Sequence, residues 1–291
     1  MIKESNNVSS DIVNELAHKA NTLRRQVLQI IYEGGSGHCG GSLSAIDIMN
    51  VLYFHTLNLK PAEPLWPERD RFILSKGHAC PALYAILAMR DFFPASELQT
   101  FRQINSRLRG HPEYGLPGVE TVTGSLGQGF SVALGMAMGL QRQKAPQRVY
   151  CLLGDGETQE GMVWEAAMTA GHFNLANLTC FLDNNRLQGD GPIKEIMDIE
   201  PLADKWRAFN WQVQEIDGHD IQQIIDAISW AQSAANSPQI IIAHTVKGKG
   251  VSFMEDVATW HGTEPPTKEQ LATAMHDLDI VDLHLRSSKN D

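Results

Sequence analysis

The sequence predicts an α/β fold, a mostly parallel sheet flanked by helices on both faces. Three observations carry this. Short apolar runs, among them VYCLL (Val149 to Leu153) and LTCFL (Leu178 to Leu182), are bounded by turn residues, as buried parallel strands are. Stretches of helical period lie between the runs, the alternation of a sheet covered on both sides. Each of those two strands runs into a turn rich in ligand atoms: GDGETQEG (Gly154 to Gly161) and DNNRL (Asp183 to Leu187).

Taken in order, Asp11 to Tyr32 reads as a helix, with Asp11 as N-cap and apolar residues at Ile12, Leu16, Ala20, Leu23, Val27, Ile30 and Ile31. It stops at the GGSG turn, Gly34 to Gly37. A second helix covers Ser44 to His55, and the prolines between Pro61 and Pro67 make a rigid connector. RFIL (Arg71 to Leu74) is a strand, SKGH (Ser75 to His78) a turn, and Pro81 to Arg90 a helix with proline in its first turn. Phe130 to Gln143 is a helix with Ser131, Gly135 and Gly139 at spacing four, a stripe that serves internal packing or a subunit interface. Met162 to His172 is the crossover helix between the two ligand-bearing turns. Strands at Val213 to Asp217 and Gln239 to Thr245 enclose a helix from Ile221 to Ala235, and the last forty or so residues read as a loop and a short helix. No linker is evident, so residues 1–291 are expected to form a single domain.

Composition narrows the function. With 291 residues and 43% hydrophobic content the chain can bury a sizeable core. A formal net charge of −10 argues against nucleic acid or an anionic membrane as partner. The four cysteines, Cys39, Cys80, Cys151 and Cys180, are widely spaced and fit reduced thiols in a cytoplasmic protein. The start, MIKESNNVSS, lacks the basic and apolar regions of a secretory signal, and the longest apolar stretch, Phe130 to Leu140, is too short to span a bilayer.

The paired turns carry the chemistry. Asp155 and Asn185 sit at the ends of two strands joined by one crossover helix, on the edge where open α/β sheets bind ligands. A carboxylate oxygen of Asp155, the amide oxygen of Asn185 and the carbonyl of Leu187 are hard donors suited to Mg²⁺ holding a diphosphate, and the N–H groups after Gly156 suit phosphate charge. Four of the 11 histidines stand in glycine-containing turns: His38, His78, His111 and His261. Together they suggest a polar pocket of neutral imidazoles able to donate to phosphate and sugar oxygens and to move protons. They lack zinc spacing. His18, His55, His172, His219 and His244 read as structural. TGSLGQG (Thr123 to Gly129) opens a helix but is not GxGxxG, VKGKGV (Val246 to Val251) is a solvated loop or an anion-binding lid, and Cys39 beside His38 reads as structural rather than nucleophilic.

These segments resemble the N-terminal, pyrophosphate-binding part of a transketolase, and more closely the stand-alone N-terminal subunit of a split transketolase. SGHCGGSLS, LSKGHACPALY, GHPE, PGVE, TGSLGQG, GDGETQEG, DNN and WHG occur in family order from about residue 10 to residue 265, leaving 266–291 as a tail. The resemblance implies the thiamine-diphosphate-binding fold and thiamine diphosphate with Mg²⁺, Ca²⁺ or Mn²⁺ being able to substitute. It implies Asp155, Asn185 and the Leu187 carbonyl as metal ligands, and Gly156, His78 and His261 beside the diphosphate. It sets the Gly124 and Leu126 backbone near the aminopyrimidine and Glu160 in a carboxylate network at a subunit interface. His38 and His261 would move hydroxyl protons, and His78 and His111 would orient the donor-derived oxygen. The implied reaction is transfer of a two-carbon ketol unit from a ketose (phosphate) to an aldose (phosphate), with the cofactor as electron sink.

The glutamate that activates the pyrimidine belongs in this family to a later domain, as do the arginines that bind the acceptor phosphate. The chain stops at Asp291. A separate C-terminal subunit in an α₂β₂ assembly is therefore expected. Cys39 stands where transketolases commonly carry proline. The competing readings are a deoxyxylulose phosphate synthase, the α subunit of a 2-oxo acid dehydrogenase and a catalytically silent binding subunit. The segments around His38 and His261 favour transketolase over the other enzymes.

Overall fold

The apolar runs become strands because both of their faces are buried. In the computed structural model, β1 (Arg71–Leu74), β2 (Val149–Gly154) and β3 (Leu178–Asn184) pair in parallel, followed by a two-residue antiparallel ribbon, β4 (Leu187–Gln188) and β5 (Gly191–Pro192). Then come β6 (Gln212–Asp217) and β7 (Gln239–His244), and the sheet runs β1-β2-β3-β7-β6, parallel throughout. Every residue of β2 and β3 is buried. Tyr150, Leu152 and Phe181 point into one core cluster, while Val149, Cys151, Leu153, Cys180 and Leu182 point into the other. This two-sided burial is why these strands lack a polar alternation in sequence. The structure describes residues 9–287. Residues 1–8, most of the start read as lacking a secretory signal, and 288–291, the end of the tail, lie outside the described residues.

Helices α1 (Ser10–Gly34), α2 (Cys39–Val51) and α3 (Cys80–Met89) cover one face. On the other lie α4 (Gln128–Arg142), α5 (Gly161–His172), the single turn α6 (Ile193–Ile196) and α7 (Leu202–Ala208). The chain then returns to the first face with α8 (Ile221–Ser233) and α9 (Lys268–Ser287). Asp220 caps α8 by accepting from the N–H groups of Gln222 and Gln223. No helix among the described residues is long and apolar enough to cross a membrane.

Several boundaries differ from the sequence reading. The N-cap of α1 is Ser9, not Asp11, which lies in the first turn where its charge meets the positive end of the helix. Helix α2 starts five residues before Ser44, because all thirteen of its residues are buried and its early glycines have neighbours pressed against them. After Val51 it widens into a π turn, Leu52–Thr56. The predicted short C-terminal helix is 20 residues long. Only Leu271, Ala274 and Leu278 on it are buried, too thin a stripe to extend the helix on paper. It is held by tertiary bonds from Asn21 Nδ2 to the Leu278 carbonyl (2.9 Å) and from Arg25 Nη1 to the Met275 carbonyl (3.2 Å). The small-residue stripe has no internal packing role at its glycines: a Cβ on Gly135 or Gly139 would meet nothing within 4 Å.

Under the α4–α5 face, Trp206 is fully buried against Trp211, Trp164 and Phe130, with ring centroids 4.9, 5.3 and 6.0 Å away. Trp206→Ala should cost about 3–5 kcal/mol. Urea unfolding measures it, and a loss below about 1 kcal/mol would mean this cluster does not hold the face together.

Candidate active site

The five parallel strands end at one edge, and residues that follow four of them enter the same cavity of about 360 Å³. After β1 come Lys76 and His78, after β2 Asp155 and Gly156, after β3 Asn185 and Leu187, and after β7 Lys247. Loops add His38, His111, Gly124, Leu126, Glu160 and His261. Every candidate site residue named from the sequence thus lines one cavity. The pairing of Gly154 with Asp183 fixes the relation of the two ligand-bearing turns, since Asp155 N–H donates to the Asp183 carbonyl (3.2 Å).

Asp183 organises the floor. It is fully buried and accepts from Lys76 Nζ, Ser44 Oγ (2.6 Å), Thr245 Oγ1 and Asn185 Nδ2 (3.4 Å). Burial opposes its charge, but the Lys76 ammonium and these donors overcome that and hold its carboxyl below the ordinary range. The bonds to Asp183 and Ser44 also fix the Asn185 amide nitrogen, so its Oδ1 is the oxygen left over, accepting only from Leu187 N–H (3.2 Å). Asp155 accepts from the N–H of Arg186 and of Gly156 (2.7 Å). Burial, then the neighbouring Asp183 carboxylate, pushes Asp155 up to about 7. A cation there would relieve both causes.

The carbonyl of Leu187 already attracts a cation, because Lys247 Nζ donates to it at 2.6 Å. Lys247 is 1% exposed, so of the two readings of VKGKGV the solvated loop fails at Lys247, while Lys249 stays partly exposed. Burial, then repulsion from Lys76, lowers its ammonium to about 8. The donor set of a carboxylate, an amide oxygen and a carbonyl therefore fits a hard divalent cation, with two ammonium groups beside it for an anion. Among the described residues no group of three or more His, Cys, Asp and Glu could hold a metal, so any ion here must draw on the amide and carbonyl oxygens.

The four turn histidines form a cluster. His38 lies 5.2, 6.4 and 6.1 Å from His78, His111 and His261 between ring centroids, and His78 lies 5.3 Å from His261. Burial, then the neighbouring rings and cations, lowers His38 to about 4; burial, then Lys247, lowers His261 to about 3. His78 and His111 are lowered too, by burial first and then by Lys76 and Arg102 respectively. All four rings are neutral at neutral pH. His261 Nδ1 accepts from Lys247 Nζ (2.6 Å), so its Nε2 carries the proton. Glycine lets these groups meet: a Cβ on Gly41 would stand 3.2 Å from His78 Nε2, and one on Gly40 2.7 Å from Lys247 Cγ.

Lys76, Asp183 and Glu157 are the site residues that sequence reasoning missed, and Lys247 lies in the loop it left open between solvation and anion binding. Glu157 accepts from Ser75 Oγ, Gly127 N–H (2.8 Å) and Gly154 N–H (3.0 Å), which ties three turns together. The only signal was proximity to motifs already quoted: Lys76 lies in SKGH and Asp183 opens DNN. The N–H groups after Gly156 belong to a 3₁₀ turn, Gly156–Gln159, and the crossover helix, expected from Met162, starts at Gly161. Cys39 is buried and its thiol is pushed up to about 12 by burial, which suits a structural residue.

Comparison with known proteins agrees with the geometry. A family model described as transketolase, thiamine diphosphate binding domain, matches residues 16–278. The chain is 45% identical over 266 residues to the 6-deoxy-6-sulfo-D-fructose transketolase subunit SqwG of a Clostridium species, covering 91% of this chain and 96% of that protein. It is 40% identical over 255 residues to an apulose-4-phosphate transketolase subunit of Phocaeicola vulgatus, covering 88% and 90%. Among solved structures, the transketolase of Campylobacter jejuni superposes with a TM-score of 0.82 at 31% identity, over 97% of this chain and 48% of that one. The transketolase from Leishmania mexicana gives 0.83 at 27% identity, over 94% and 46%. The chain thus spans nearly all of the subunit relatives and under half of these single-chain structures.

The histidines make stability depend on pH. Their folded values lie below the ordinary 6.5, so between the two the unfolded chain binds more protons. Their contribution is present above about 6.5 and is lost as pH falls toward about 4. Thermal melts of the cofactor-free chain across that window should fall toward acid, and less steeply in His38→Asn. Identical slopes would contradict the lowered value of His38.

Proposed function

The chain belongs to the transketolase family, as its thiamine diphosphate-binding N-terminal part, and from this premise we propose that it is one subunit of a split transketolase, a transferase of two-carbon ketol units. The observation that carries the proposal is the convergence of four strand ends on a cavity holding a hard-oxygen donor set, two ammonium groups and four neutral imidazoles. The described residues build one five-stranded sheet with its two covering layers and one short ribbon, which supports reading the chain as a single pyrophosphate-binding domain with residues 266–291 as its tail.

In this reading Asp155, Asn185 Oδ1 and the Leu187 carbonyl hold Mg²⁺. Gly156, His78, His261 and Lys247 face the diphosphate. When bound, thiamine diphosphate supplies the nucleophilic carbon and the electron sink. The chain's own residues bind, orient and move protons. His261 donates from Nε2, because Lys247 occupies its Nδ1. His38 and His261 exchange protons with substrate hydroxyls, and neutral rings can act in either direction. His78 and His111 orient the donor-derived oxygen. The Gly124 and Leu126 backbone borders the aminopyrimidine, and Glu160, exposed on the cavity wall, reaches a carboxylate network with a neighbouring subunit.

The pyrimidine-activating glutamate comes from a separate C-terminal subunit in an α₂β₂ complex. Relatives named as transketolase subunits support this division. The substrates are a ketose (phosphate) donor and an aldose (phosphate) acceptor, and the complex works in the cytoplasm. The intact donor set and histidine cluster weigh against a silent binding subunit.

Asp155→Asn should weaken Mg²⁺-dependent thiamine diphosphate binding on the order of a hundredfold, as titration calorimetry of the chain with its partner would read. Ketol transfer should require both polypeptides. Turnover at full rate by the purified chain alone would refute the two-subunit reading, and unchanged cofactor affinity in Asp155→Asn would refute the metal site.

A further inference from the structure

The loop of Lys247 is held from behind by a polar triad, two of whose members are buried and the third partly buried. Arg24 on α1 and Asp47 on α2, 7% and 4% exposed, form a bidentate pair with Nη2–Oδ2 and Nη1–Oδ1 distances of 2.5 and 3.3 Å. His219, in the turn before α8, places Nδ1 2.7 Å from the same carboxylate. Two bonds then leave the triad for the lysine loop. Val246 N–H donates to His219 Nε2 (2.8 Å), and Arg24 Nε donates to the Lys249 carbonyl (3.1 Å). Between those anchors, Gly248 N–H donates to the Gly40 carbonyl (3.1 Å) and Asp256 N–H to the Lys247 carbonyl (2.9 Å).

We propose that Arg24, Asp47 and His219 are positioning residues for Lys247: they grip its loop on both flanks and so set the affinity of the site for the diphosphate, an inference that rests on the reading of Lys247 as a diphosphate residue. A triad needed only to fill space could be apolar, since a buried ion pair is commonly no more stabilising than hydrophobic residues of the same volume. This triad instead directs its remaining donor and acceptor to the residue before Lys247 and the carbonyl two residues after it. Accepting at Nε2 fixes His219 as the Nδ1–H tautomer, which donates to Asp47. Burial opposes the Asp47 charge, but Arg24 and then His219 outweigh it and keep the carboxyl below its usual range. The acceptor that fixes the loop is therefore stable in orientation.

Two substitutions separate the two bonds of His219. Asparagine can mimic Nδ1 and keep the Asp47 contact but cannot reach Val246. Glutamine can mimic Nε2 and keep the Val246 contact. In the full chain with its partner subunit, titrated with Mg²⁺ and thiamine diphosphate, His219→Asn should raise the cofactor dissociation constant about tenfold, with turnover recovered at saturating cofactor, and His219→Gln should stay within about threefold of wild type. Equal effects of the two, or unchanged affinity in His219→Asn, would overturn the proposal. Lys247→Met, run alongside, distinguishes the failures: unchanged affinity there removes the reading of Lys247 itself, whereas a loss there with none in His219→Asn removes only the triad. Hydrogen exchange on the wild-type chain tests the tether without any variant. The Val246 amide should exchange as slowly as the core strands, and free exchange would overturn the proposal.

Discussion

The buried pair of Lys76 and Asp183 is the interaction on which the rest of the structure depends. Both side chains are almost wholly excluded from water, so neither charge could remain there alone. Their pairing joins the turn after β1 to the end of β3, and the remaining lone pairs of Asp183 recruit Ser44 from α2 and Thr245 from beyond β7. One carboxylate thus locks together the four segments that border the cavity floor. It also orients the Asn185 amide and adds to the burial that raises Asp155, the two side chains that make the donor set.

The charge around that pair is arranged for a divalent cation and an anion. Burial, and then a second carboxylate, disfavours the charge of Asp155; burial, and then a second ammonium, disfavours the charge of Lys247. Each is strained in the direction that a metal ion and a diphosphate would relieve. Burial and those same ammonium groups keep His38, His78 and His261 neutral, and burial with Arg102 does so for His111, which leaves all four able to give and take protons at neutral pH.

Much of this was legible in the chain. Strands buried on both faces leave unbroken apolar runs, so β1, β2 and β3 were placed to within two residues. Glycine-containing turns marked Asp155 and the four histidines, and the turn that ends β3 marked Asn185; close approach demands glycine at Gly40 and Gly41, beside Lys247 and His78. What stayed hidden has a common cause. The loop of Lys247 leaves solvation and anion binding both open, because it is separated from Asp155 by ninety-two positions and a lysine in a glycine-containing loop is ordinarily solvated. His219 read as structural, yet it bonds the loop of a cavity residue. Helix α9 read as short because its anchors lie on α1.

The sequence by itself determined the α/β class, the edge of the sheet that carries the chemistry and the types of group assembled there, because periodicity and turn residues are local properties. Only the tertiary structure decided which cations face the donor set, that Asp183 rather than Asp155 carries the stable charge, and that the α4 stripe lies at the surface. Those outcomes depend on burial and on Coulomb interactions between residues far apart in the chain. Distance in space, which sets both, is not written in any local pattern.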